Sequence, residues 1–98
     1  MERNVGVKNE MSHALYELSE LISGLDSSSI QELFQEIFTK AELDDLSLRW
    51  LLMKKLKTGI PQRKIAEELH ISLCKITRGS KLLKNPDGLS KKYVSPMS

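Results

Sequence analysis

Two short stretches between Pro61 and Lys84 hold the side chains whose types and spacing could do chemistry. Gln62, Arg63 and Lys64 open the first, and Cys74, Lys75, Thr77, Arg78 and Lys81 fall at outward spacing in the second. Guanidinium and ammonium groups neutralise phosphates, while Gln, Thr and Arg carry the donors and acceptors that match base edges. The set therefore suits a polyanion with readable edges. Catalysis fits it poorly. A thiol nucleophile needs a base within reach, and no carboxylate stands at catalytic spacing with His70 and Cys74. Cys74 reads as a small groove-facing residue and His70 as a turn residue, so no enzyme is expected. One cysteine with His13 and His70 also cannot anchor structural zinc.

Positioning such groups takes two helices and a tight turn. Pro61 can open the first helix, because the first helical position needs no hydrogen-bonded N–H. Ile65, Ala66 and Leu69 then share one face at three- and four-residue spacing. His70-Ile71 breaks the rhythm, and Ser72 is a good N-cap for a second helix with Leu73, Ile76 and Leu83 inward. Ala66 is small enough for the helices to cross, and Ile71 plugs the corner. This is the pattern of a helix-turn-helix. His70 takes the turn position usually given to Gly and is expected in the left-handed region, which His tolerates better than a branched residue. The alternative on these residues is a plain helical hairpin with a solvated basic face.

Charge distribution sharpens that choice. Met1 to Leu48 carries three Lys and Arg against ten Asp and Glu, net −7, whereas Arg49 to Ser98 carries twelve against three, net +9. A basic half attached to an acidic half reads as a polyanion-binding head on a scaffold, with the acidic half repelled from the same ligand. The 98 residues suffice for one domain near the small end of what one core stabilises, so a second copy is expected to complete the core. No apolar run is long enough for a bilayer, and Met1-Glu2-Arg3-Asn4 does not open a signal peptide. The single cysteine leaves no internal disulfide and agrees with a cytoplasmic location.

In chain order, residues 1–8 show no periodicity and read as a flexible arm. A helix is predicted from about Asn9 to Ser23, capped by Gly24, with Met11, Leu15, Leu18 and Ile22 as a stripe for a core or dimer seam rather than a membrane. Ser29 with Glu32 forms a capping box for a second helix, whose inward residues are Ile30, Leu33, Phe34, Ile37 and Phe38. Thr39 with Glu42 repeats the device and opens the longest helix, from Lys40 to about Lys57, apolar around much of its circumference. Lys54, Lys55 and Lys57 near its end suit the helix dipole and could equally touch phosphates or be merely solvated. Asn85-Pro86-Asp87-Gly88 is a turn, after which one or two helical turns fit. The organisation expected is an arm (1–8), a helical dimerisation core (9–58), a helix-turn-helix head (59–84) and a short C-terminal segment (85–98).

The run Ile76-Thr77-Arg78-Gly79-Ser80, together with Gln62-Arg63, Gly59 and the Thr39…Arg49 pair around an acidic segment, resembles the tryptophan repressor family over residues 30 to 84. The resemblance implies an all-α fold of five to six helices in an intertwined homodimer, binding double-stranded operator DNA when it holds L-tryptophan. It implies that Arg49 engages the amino-acid carboxylate, Arg78 lies along the indole, Gly79 leaves room beside the ring, and Thr39 of a second copy completes the carboxylate end. Backbone carbonyls near Glu36 and Phe38 would receive the ammonium. Nucleotide contacts would come from Gln62, Arg63, Lys64, Cys74, Lys75, Thr77 and Lys81. Guanidinium chemistry agrees, since it binds carboxylates bidentately and stacks on aromatic faces. On the residues alone, Arg78 could instead bind phosphate and Arg49 could pair with Asp44 or Asp45.

Three departures stand out. Leu82 replaces a serine that the family places near the ligand ammonium. The segment from Arg49 to Gln62 is about one residue shorter than the family pattern, and the segment after Gly88 is short and basic where the family has a longer amphipathic helix. The expected function is an L-tryptophan-dependent repressor of tryptophan biosynthesis or uptake genes, with no cofactor beyond that corepressor. A ligand-independent helix-turn-helix protein, such as an initiator- or sigma-like head, is the alternative, and a protein-binding helical adaptor using the Met11 to Leu25 stripe is a third.

Overall fold

A computed structural model describes residues 4–97, and among these are six helices and no strand. The helices are α1 Val5–Ser23, α2 Ser27–Ile37, α3 Lys40–Thr58, α4 Gln62–Leu69, α5 Leu73–Lys84 and α6 Leu89–Tyr93. The chain divides into two compact units, one ending at Thr39 and one beginning at Lys40. Leu52 and Met53 of α3 are buried in the second unit, which joins α3 to the head.

The first unit contains α1 and α2. Residues 5–8 are not an irregular arm but the first turn of α1, because the Asn4 side chain accepts a hydrogen bond from the Val7 N–H at 2.8 Å and caps the helix. Residues 1–3 of that arm lie outside the described residues. In α2 the N-cap is Asp26 rather than Ser29. Its Oδ1 accepts from the Ser29 N–H at 2.8 Å, and this hydrogen bond holds the Asp26 carboxyl below its usual range. A carboxylate caps as well as a hydroxyl does, and starting earlier adds almost a turn. Phe34 and Phe38 meet edge to face at 5.3 Å between ring centres.

The second unit holds the core. Leu52, Ile65 and Ile76 are buried together, with Leu56, Ile60, Ala66, Leu69 and Ile71 packed around them. Gly59, at φ +95°, ends α3: its N–H donates to Leu56 O at 3.0 Å, and the Ile60 N–H reaches back to Lys55 O at 3.3 Å. Glycine takes that φ without a Cβ clash, so the chain reverses within one residue. Pro61 is the N-cap of α4 rather than its first residue, and its carbonyl accepts from the Ile65 N–H at 3.1 Å. His70 is left-handed, at φ 54° and ψ 45°, as the turn demands, and the Ile71 N–H donates to Ala66 O. Ser72 caps α5 by accepting from the Lys75 N–H. These elements form the predicted helix-turn-helix. Leu73, read as inward, is instead exposed, because at the first position of α5 it precedes the crossing.

The C-terminal segment folds back onto α3. Val94 is 2 % exposed, Lys57 Nζ donates to Lys91 O at 2.8 Å and Val94 O at 2.6 Å, and Lys54 Nζ donates to Ser95 O at 3.1 Å. Thr58 Oγ1 accepts from the Met97 N–H at 2.7 Å.

Candidate ligand and nucleic-acid site

Gly79 sets the distance between α3 and α5. A Cβ there would lie 3.1 Å from Leu52 Cδ2 and 3.3 Å from Leu52 Cγ, so the helices approach over a residue without a side chain. Gly79 is buried at this crossing, and its smallness therefore serves helix packing as well as space for a ligand. Beside the crossing lies a cavity of about 390 Å³, lined on the α3 side by Leu46, Arg49, Trp50, Leu52 and Met53. Lys75, Arg78, Gly79 and Leu82 line it from α5, and Ser90 from α6. That volume is of the size small-molecule sites occupy.

The cavity joins three of the four residues expected around the ligand: Arg49, Arg78 and Gly79. The fourth, Thr39, was expected from a second copy of the chain; it precedes α3 and lies in the other unit. Three cations and no carboxylate line the walls, so the cavity favours an anionic group attached to an apolar body. Among the described residues Arg49 forms no ion pair, and Asp44 pairs with Lys40 at 3.3 Å instead. The Arg49–Asp pairing is thus not formed, and the guanidinium remains available to the cavity.

The expected nucleotide-contacting residues all lie at the surface of the head. Gln62, Arg63, Lys64, Cys74, Lys75, Thr77 and Lys81 are all exposed. Leu73, Cys74, Thr77, Arg78 and Lys81 surround an open depression on the outward face of α5. Arg78 thus lines both this depression and the cavity. Lys75, read only as a nucleotide contact, also reaches the cavity wall.

The lysine cluster at the end of α3, expected either to touch phosphates or to be merely solvated, does neither. Lys54 and Lys57 hold C-terminal carbonyls, and Lys55 pairs with Glu68 of α4 at 2.9 Å. The hydrogen bond from Lys55 holds the Glu68 carboxyl below its usual range. These ammonium groups staple the unit together rather than standing free for phosphates. Leu46, Trp50 and Met53, whose helical spacing in α3 was legible but which were not assigned to the ligand site, also line the cavity. No local signal marks Ser90, which reaches the cavity only through the folded-back segment.

Comparison with known proteins agrees with this architecture. A family model described as Trp repressor protein matches residues 13–97. Proteins named Trp operon repressor homolog from Chlamydia trachomatis serovars L2 and D are each 35% identical over 66 residues, covering 66% of this chain and 70% of theirs. No solved structure matches the chain at a significant level. The chain belongs to the Trp repressor family of helix-turn-helix, DNA-binding transcriptional repressors.

Proposed function

We propose that this protein is an L-tryptophan-gated repressor, acting in the cytoplasm as a homodimer on operators of tryptophan biosynthesis or uptake genes. The observation that carries the reading is the double position of Arg78, on the wall of a carboxylate-free cavity and on the outward face of α5. The indole body would lie between α3 and α5, its carboxylate on Arg49 and its ring along Arg78, with Thr39 of the second copy closing the carboxylate end. A ligand held there contacts the inner side of the helix whose outer side meets DNA.

Gating follows if the ligand binds the DNA-competent placement of the heads more tightly than other placements; without that difference it shifts nothing. Two heads would then present their α5 helices to successive major grooves, about 34–36 Å apart. The exposed stripe of α1, with Leu15 at 64% and Met11 at 50%, supports the homodimer. The test is titration onto a palindromic tryptophan-operator duplex at fixed salt, with and without L-tryptophan. Tightening of tenfold or more, about 1.4 kcal/mol of coupling, is expected. Unchanged affinity would leave a ligand-independent helix-turn-helix protein.

A further inference from the structure

We propose that Ser90 of the C-terminal segment contacts the ligand and selects an amino acid over its deaminated analogue. This rests on the reading of the cavity as an L-tryptophan site. An amino acid brings a carboxylate and an ammonium. Arg49, Lys75 and Arg78 serve the first and repel the second. The rest of the lining is apolar or glycine, except Ser90 and the indole N–H of Trp50, which donates but cannot accept. The hydroxyl of Ser90 is therefore the one uncharged side-chain oxygen among the lining residues. It makes no hydrogen bond to another described residue, whereas its carbonyl already accepts from the Val94 N–H at 2.9 Å. Ser90 Oγ is thus an uncommitted acceptor where an ammonium has none other among the lining side chains.

The hydroxyl is also held in place. Lys57 grips the carbonyls of Lys91 and Val94, Val94 is buried, and the Met97 N–H is anchored on Thr58. These anchors act between Lys91 and Met97, C-terminal to Ser90, and the ammonium and hydroxyl that grip the segment come from the end of α3. The short basic segment therefore works as a strap that carries a polar group to the ligand, and its contacts set where that group stands.

Calorimetric titration with L-tryptophan and with indole-3-propionate, which lacks the amine, tests the assignment. Ser90→Ala should weaken L-tryptophan about tenfold and leave indole-3-propionate within about twofold, since only the charged hydrogen bond is lost. Ser90→Thr keeps the hydroxyl and should retain most of the preference. Equal losses for both ligands, or no loss for L-tryptophan, overturn the role of Ser90. Lys57→Met, which releases two strap carbonyls outside the cavity, should narrow the preference between the two ligands; an unchanged preference overturns the strap's part. Wild-type protein that binds neither ligand overturns the tryptophan reading together with the Ser90 assignment, whereas wild-type binding with an unaffected Ser90→Ala overturns only the latter.

Discussion

In α1 no residue is buried, and Leu15 and Tyr16 are each 64% exposed; in α4 and α5, Ile65 and Ile76 are at 0%. Both regions are built from amphipathic helices. The difference lies in what meets the apolar face. In the second unit α3, α4, α5 and the C-terminal strap cover one another, whereas Met11 and Leu15 of the α1 stripe stay open to solvent and Leu18 and Ile22 are only half-buried. The charges divide along a similar line, with an acidic N-terminal half and a basic head. A self-sufficient unit can hold a cavity and a basic face in fixed geometry. An open apolar stripe is instead suited to joining copies, and the proposed homodimer assigns it that use.

Truncation of the buried core should give the largest effect. Ile76→Ala should cost about 2–5 kcal/mol in denaturant unfolding, from lost burial and a cavity. Leu15→Ala removes a side chain of equal size from the open stripe, and its cost should depend on protein concentration if a second copy covers it. Equal, concentration-independent losses would erase the contrast between the two regions.

The crossing of α3 and α5 is next. Gly79→Ala puts a methyl 3.1 Å from Leu52, and about 1–3 kcal/mol of overpacking should appear in the same unfolding experiment. A neutral result would mean that Leu52 yields easily and that the cavity wall is soft. For function, Arg78→Ala should remove tryptophan-dependent tightening of operator binding, about 1.4 kcal/mol or more. Lys81→Ala should instead weaken binding with and without ligand, and reduce the salt slope by about one phosphate contact. Equal, ligand-independent losses would reduce Arg78 to a phosphate contact.

Smaller effects probe the joints. His70→Gly should shift stability by less than about 1 kcal/mol, because relief of the left-handed backbone offsets the greater freedom of the unfolded chain. His70→Val should destabilise clearly at φ 54°. The Lys55–Glu68 pair should matter least, since both ends touch solvent and salt screens it. Its sign is still defined. The folded-state pKa of Glu68 is depressed, so its stabilisation is present above the ordinary carboxylate range and is lost as pH falls through the lowered value. Unfolding of Glu68→Gln should therefore differ from wild type at neutral pH and converge with it in acid.

Much of the head was legible from residue order. Ile65, Ala66, Leu69, Ile71 and Ile76 announced the helix-turn-helix, and their spacing reflects helical geometry that any such sequence shares. The left-handed His70 and the Ser72 cap were equally readable, because turns and caps are decided within four residues. Arg49, Arg78 and Gly79 were legible through their resemblance to a family pattern, and the fold brings them to one cavity. The α2 start was misplaced because Asp26 and Ser29 are both competent caps three residues apart, and local preference does not rank them.

What the sequence determined by itself is the set of helices, the turn between α4 and α5, the acidic and basic halves and the outward polar residues of the head. All of these depend on neighbours within a turn or two, or on composition alone. Tertiary structure decided the rest. Lys54 and Lys57 were assigned as grips on the strap, Ser90 was brought to the cavity, and Arg78 was placed on both faces of α5. These outcomes join residues up to 41 positions apart, where no periodicity extends. A lysine in sequence shows its charge but not its acceptor, and only the returning C-terminal carbonyls settled where these charges are spent.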